Sequence, residues 1–298
     1  AGFHVFVGAA AGSAMTTSGL GAVGVGYAAY RATTTHGRGT ALGAYALYQA
    51  NHTQDDYNVA VGYRAGYNGV TILKNTYVGS FSGYEHLAQE STFIGYYSGR
   101  YASSGSFNTF VGANAGQGNS SAPYSSGGYN TAIGYQTMQG FTTGQYNFIG
   151  GYRAGYSLST GNYNIYIGTF AGYGKTTATG NVAIGYNSNK SGTSAGTNVA
   201  IGYDSATVTT LNDGVWIGAN ANKLGTGGGG GVIVGHYAGF YAQGTGMVHI
   251  GQNAGRYASG SFNTFVGRNA GQGGTTSAPY SSGTQNVAIG AYALDAFT

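Results

Sequence analysis

Seventeen times in 298 residues the chain repeats one short phrase: Asn, two variable residues, Val or Ile, Gly, two variable residues, then Ala or Ser. It reads cleanly at Asn108-Thr109-Phe110-Val111-Gly112-Ala113-Asn114-Ala115. The central glycines are Gly8, Gly26, Gly43, Gly62, Gly79, Gly95, Gly112, Gly134, Gly151, Gly168, Gly185, Gly202, Gly218, Gly235, Gly251, Gly267 and Gly290. Their spacing is 16 to 19 residues, except for two long intervals of 22 and 23. A fixed period of this length means one supersecondary unit stacked on its neighbours, each unable to bury its core alone.

The slots within the phrase select the unit. The residue before the marker glycine is Val, Ile or Leu in sixteen copies, Gly150 being the exception, and two positions earlier stands mostly Val, Ile or Thr (Val59, Thr76, Thr109, Val182, Val199). Period-two geometry puts these two residues on one face of a short strand, and their β-branched character marks that face as the interior. Ala, Ser or Thr follows three residues after every marker, so a close opposite wall is expected there. There are 59 glycines, about one residue in five against an ordinary ~7%, which excludes helix. Collagen would need many prolines, and the chain has two, Pro123 and Pro279. The expected fold is therefore all-β: a parallel β-solenoid of about seventeen coils of about 17 residues, rising about 4.8 Å per coil to roughly 80 Å, as one continuous repeat domain over 1–298.

Asn opens the phrase in ten copies: Asn58, Asn75, Asn108, Asn130, Asn147, Asn164, Asn181, Asn198, Asn263 and Asn286. Stacking would align them into a hydrogen-bonded amide ladder, which reads as structure rather than as a binding row. The slot between the two inward residues would then point out of the coil. It carries Tyr77, Phe93, Phe110, Ile149, Tyr166, Trp216, Ile233 and Phe265. An apolar row of this kind should not face water, so these eight residues are the expected seam of an oligomer.

A longer repeat overlies the short one. Gly99-Arg100-Tyr101-Ala102 recurs as Gly255-Arg256-Tyr257-Ala258, and each copy leads into one of the two long coils, which share Ser-Ala-Pro-Tyr-Ser-Ser-Gly at 121–127 and 277–283. These coils should bulge as matching loops, and loops on a rigid scaffold are where recognition sits. Tyrosine, with an apolar face and a polar tip, suits sugar and protein, so Tyr101, Tyr124, Tyr257 and Tyr280 are the candidate receptor contacts.

Asn130-Thr-Ala-Ile-Gly-Tyr135, Asn181-Val-Ala-Ile-Gly-Tyr186 and Asn198-Val-Ala-Ile-Gly-Tyr203 resemble the head repeats of YadA-like trimeric autotransporter adhesins and related repeats of bacteriophage tail fibres. The resemblance spans essentially the whole chain. It implies a left-handed β-roll, a homotrimer, and attachment to a cell-surface glycan or protein receptor from an extracellular position on a cell surface or virion tail fibre.

Other functions find little in the composition. Net charge is +4, and the eleven basic residues are scattered singly, so neither nucleic acid nor an anionic membrane is an expected partner. No apolar run is long enough to span a bilayer. The seven acids include Glu85 with Glu90 and Asp204 with Asp213, but neither spacing forces a pair into a cleft, so catalysis is not expected. Cysteine is absent, and the five glycines from Gly227 to Gly231 lack the aspartate of a calcium-binding repeat; no metal or cofactor is expected. An ice-binding face would need an unbroken threonine ladder, yet Thr76, Thr92, Thr109 and Thr131 give way to Phe148, Ile165, Val182 and Val199. Neither end shows a cap, which predicts that the coils continue into further fibre sequence or stack on a neighbouring subunit, the latter making a structural filament subunit.

Overall fold

Residues 3–16, 21–33, 37–51, 56–121, 124–192, 196–208, 212–227, 229–274 and 281–297 are described by a computed structural model, and among them no helix occurs. The chain divides into two compact units, Ala1–Arg153 and Ala154–Thr298. Among the described residues the first holds nine strands: β1 (Val5–Val7), β2 (Val23–Val25), β3 (Thr40–Leu42), β4 (Val59–Val61), β5 (Thr76–Val78), β6 (Thr92–Ile94), β7 (Thr109–Val111), β8 (Thr131–Ile133) and β9 (Phe148–Gly150). The second holds β10 (Ile165–Ile167), β11 (Val182–Ile184), β12 (Val199–Ile201), β13 (Val215–Ile217), β14 (Val232–Val234), β15 (Val248–Ile250), β16 (Thr264–Val266) and β17 (Val287–Ile289). Within each unit every strand pairs in parallel with the next in chain order, centre against centre, as Phe93 faces Phe110 and Ala200 faces Trp216. One strand per coil and about 17 residues per turn make each unit a parallel β-solenoid.

The marker glycines stand in one column within each unit, for a geometric reason. Gly112 has φ +131° and Gly185 has φ +129°, a region closed to L side chains. A Cβ on Gly112 would lie 2.4 Å from the carbonyl oxygen of Gly134, and one on Gly185 would lie 2.4 Å from that of Gly202. The coils are too close at this corner for any side chain. Left-handed backbone is not confined to glycine: the second and fourth residues after the marker adopt it too, as in Tyr45 (φ +59°) with Leu47 (φ +48°) and Gln136 (φ +53°) with Met138 (φ +51°).

The asparagine ladder forms inside. Asn58 Oδ1 accepts the backbone N–H of Asn75 (2.9 Å), Asn108 Oδ1 that of Asn130 (2.9 Å), and Asn164 Oδ1 that of Asn181 (3.0 Å). The amide nitrogens donate to turn carbonyls, Asn130 Nδ2 to Gly144 (2.9 Å) and Asn164 Nδ2 to Ala178 (2.8 Å). Nine of the ten are buried, so they serve the buried polar backbone that a loop-rich coil would otherwise strand. Where serine fills the small slot it does similar work on the opposite wall: Ser98 Oγ donates to the Phe110 carbonyl (2.9 Å) and Ser188 Oγ to that of Ala200 (2.7 Å).

The phase of the strands is the reverse of the one expected from β-branching. Tyr77, Phe93, Phe110, Ile149, Tyr166, Trp216, Ile233 and Phe265 are all fully buried inside the coil, so they cannot form an oligomer seam. The β-branched residues on either side of them point outward. Interior width explains the choice, because each coil has room for about one large side chain on its axis. Where the middle strand residue is Phe or Tyr, the residue six positions later is glycine: a Cβ on Gly116 would sit 2.4 Å from the Phe110 ring, and Gly99, Gly172 and Gly271 are equally close to Phe93, Tyr166 and Phe265. In several coils with a small middle residue the residue six later is large, as in Gly24 with Tyr30, Ala41 with Leu47 and Ala132 with Met138, all buried, whereas Ala60 with Gly66 and Ala200 with Ala206 are small at both positions. In the coils that show the exchange, bulk moves between two positions facing one interior, as native packing density favours.

Two histidines share this interior. His86 Nδ1 accepts from the Tyr77 hydroxyl (2.7 Å) while Nε2 donates to the Gly105 carbonyl (3.2 Å), a satisfied neutral imidazole. His249 stacks on Phe265 at 5.1 Å with both ring nitrogens buried and unbonded. Burial lowers both pKa values to about 4. The unfolded chain, with histidine near its ordinary 6.5, therefore binds more protons between pH 6.5 and 4, and stability falls as pH falls through that window, by about 3 kcal/mol per histidine at pH 4. His249→Phe is expected to raise the urea midpoint at pH 7 and to remove its share of the loss at pH 4.5. An unchanged pH dependence in the variant would show that His249 is not the acid-sensitive group.

Candidate interaction surface

The outward residues of the strands make two parallel ranks. In the first unit they run Val5/Val7, Val23/Val25, Thr40/Leu42, Val59/Val61, Thr76/Val78, Thr92/Ile94, Thr109/Val111, Thr131/Ile133 and Phe148/Gly150, and in the second the ranks are Val or Ile throughout except Thr264. No charged residue, proline or bulge occurs in either. These are the devices by which sheets that face water usually avoid association. Ile133 is 46% exposed and Ile94 38% exposed. At about 4.8 Å per rung and about 10 Å across, each unit presents roughly 400 Å² of this surface, which exceeds scattered surface apolarity.

Tyrosines flank the strands in columns of their own. Phe107, Tyr129 and Tyr146 stack at 4.8 and 4.9 Å, Tyr135 on Tyr152 at 5.6 Å, and Tyr186 on Tyr203 at 5.2 Å, with planes within 19° of parallel. Tyr129 has both faces covered by the rungs above and below, and each of the other rings gives at least one face to its neighbour. This bears on the candidate receptor contacts. Tyr101 and Tyr124 are half-buried and stacked on each other at 5.7 Å, whereas Tyr257 is only 6% exposed and stacked on Tyr241 at 5.5 Å. Tyr280 lies outside the described residues. The structure thus brings Tyr101 and Tyr124 together but leaves Tyr257 little surface for a receptor. Both long coils re-enter the solenoid at a serine: Ser125 bridges Ala102, and Ser281 bridges Ala258. Pro123 and Pro279 are outside the described residues.

No family model, curated protein or solved structure matches the chain.

The acids are engaged singly. Glu90 pairs with Lys74 (3.1 Å), and Asp204 pairs with Lys223 (2.7 Å) and accepts from Asn187 Nδ2 (2.9 Å). Asp213 accepts from the Thr197 hydroxyl, and buried Asp56 accepts from the Tyr30 hydroxyl and the Arg38 amide. Among the described residues no three His, Cys, Asp or Glu side chains converge as metal ligands.

Sequence reasoning passed over the arginines. Arg64 lies 5.2 Å from the ring centroids of both Tyr63 and Tyr67, and 5.8 Å from that of Phe81. Arg100 lies 4.1 Å from Tyr97, 4.8 Å from Tyr101 and 5.2 Å from Phe81. Single basic residues scattered in sequence look unremarked, but the 17-residue period brings residues 64, 81 and 100 onto successive turns of one wall. Arg64 stands two residues and Arg100 five residues after its marker glycine, so slot-by-slot reading of the repeat does not align them.

Proposed function

We propose that the chain is a non-enzymatic, extracellular fibrous protein that associates with copies of itself through the outward Val/Thr/Ile face and serves in attachment at a cell or virion surface. The uncharged face carries this reading. Each unit alone offers roughly 400 Å² of it, within the range of apolar patches that mark interaction sites. A second copy is the fitting occupant because its rungs have the same spacing, so ridges and hollows stay in step along the face of each unit, which a partner of different period cannot match. The resemblance of the repeats to trimeric adhesin heads supports a homotrimer as that assembly. The seam thus falls on the strand residues flanking those first expected there.

Sedimentation equilibrium tests it. The wild-type chain is expected to sediment as three copies at micromolar concentration. Ile94→Asp with Ile133→Asp, which place charges on the face without touching the coil interior, should give a monomer with an unchanged circular dichroism spectrum. A wild-type monomer would overturn the reading, and thermal hysteresis from that monomer would redirect it to a face that orders water.

A further inference from the structure

Among the described residues, three of the arginines that lack an ionic partner also have a buried Nε. Arg64, Arg100 and Arg256 each lie against aromatic rings, Arg256 at 4.8 Å from Tyr237 and 5.1 Å from Tyr257. In each the Nε is buried with nothing to bond, and the terminal nitrogens neither make a protein hydrogen bond nor are sealed from solvent. Glu85 is the nearest carboxylate in sequence register, its amide donating to the Arg100 carbonyl (2.8 Å), yet it forms no ion pair with that guanidinium. The arrangement is therefore a set of forks, clamped by rings and partly stripped of water, with their donors turned outward. Such a guanidinium gains more from a bidentate oxyanion than a solvated one does.

In the first unit two forks act together. Arg64 and Arg100 both contact Phe81, at 5.8 and 5.2 Å, which places the guanidinium carbons no more than 11.0 Å apart. Around them the tyrosine rings stack rung on rung, Tyr48 on Tyr67 at 4.9 Å and Tyr67 on Tyr84 at 5.0 Å, with planes 6° and 11° from parallel. Their faces are taken, so a nucleobase has little to stack on. Their hydroxyls and edges are what a ligand meets, and those suit a molecule rich in hydroxyls.

We propose that the Arg64–Phe81–Arg100 cluster binds an acidic polysaccharide. The two guanidiniums hold carboxylates or sulfates on nearby sugars, and the surrounding tyrosine hydroxyls bond the sugar hydroxyls. The proposal names a ligand class for the attachment reading and rests on that reading only for its biological use, since the binding itself does not depend on self-association.

Isothermal titration of the full chain with polygalacturonate, dextran of similar length and a single-stranded oligonucleotide tests it. Polygalacturonate is expected to bind, more weakly as salt rises, with dextran silent and the oligonucleotide weaker. Arg64→Gln with Arg100→Gln should weaken binding at least tenfold. Arg64→Lys with Arg100→Lys, which keeps charge and packing but loses the fork, should weaken it at least threefold with an unchanged circular dichroism spectrum, and Arg268→Gln should have no effect. Absence of polygalacturonate binding, equal binding of dextran, tighter binding of the oligonucleotide, or full affinity in the lysine pair would each overturn it. A chain that sediments as a monomer but titrates as expected would lose the trimer and keep the site; the converse would lose only the site.

Discussion

Gly112→Ala is expected to lower stability by about 3–5 kcal/mol and to leave the first unit unfolded or loosely folded at 37 °C. Two costs combine. Alanine at φ +131° is strained, and its Cβ would lie 2.4 Å from the oxygen and 2.7 Å from the carbon of the Gly134 carbonyl. Backbone cannot swing aside as a side chain can, so the rungs must separate and the inter-coil hydrogen bonds of that corner, such as Gly112 N–H to the Ile94 carbonyl (2.7 Å), lengthen with them. Gly150→Ala is the control: a Cβ there meets nothing within 4 Å, and the position is an outward strand residue. Urea unfolding should show the first variant severely destabilised and the second within about 0.5 kcal/mol of wild type. Equal midpoints would mean that the glycine column is not set by coil spacing.

Trp216→Ala should cost about 3–5 kcal/mol through the cavity it leaves. The indole is fully buried among Ala200, Ala206, Ala221, Ile233, Ala238, Ala242 and Met247, and the five alanines among them cannot reach far into the space. Its Nε1 has no partner, so part of the loss is offset by removal of an unsatisfied donor. Sedimentation and urea unfolding together separate this role from a seam role. An interior Trp216 predicts a lower midpoint with the assembly mass unchanged while the chain is folded. A seam residue would instead change the mass at constant midpoint.

The period, the all-β class, the glycine column, the small opposite wall and the asparagine ladder were all legible because each is a constraint repeated at nearly every turn. The phase of the strand was not. Period two says which residues share a face and is silent on which face is inside. β-Branching pulled the assignment toward Thr109 and Val111, although such residues serve equally well on an outer sheet face that another surface covers. The decisive signal lay further along the chain, in the exchange of bulk between residues six apart: Phe110 with Gly116 against Ala132 with Met138. Only residues that meet across a narrow interior need to trade volume. The arginine cluster was hidden for the opposite reason, since it occurs in few turns and leaves no periodic trace.

The left-handed residues at the second and fourth positions after each marker have a kinetic meaning. Tyr45, Leu47, Gln136 and Met138 each hold a backbone conformation that costs an L residue roughly 1–2 kcal/mol in isolation. A lone coil has several such residues and no neighbour to bond, so it has nothing to hold it in shape. The first coil is therefore a rare event, whereas each later one forms against a finished edge whose hydrogen-bonding groups already dictate its path. Such a chain folds by templating: a nucleus appears, and a front then advances one turn at a time, copying the backbone of the turn before it.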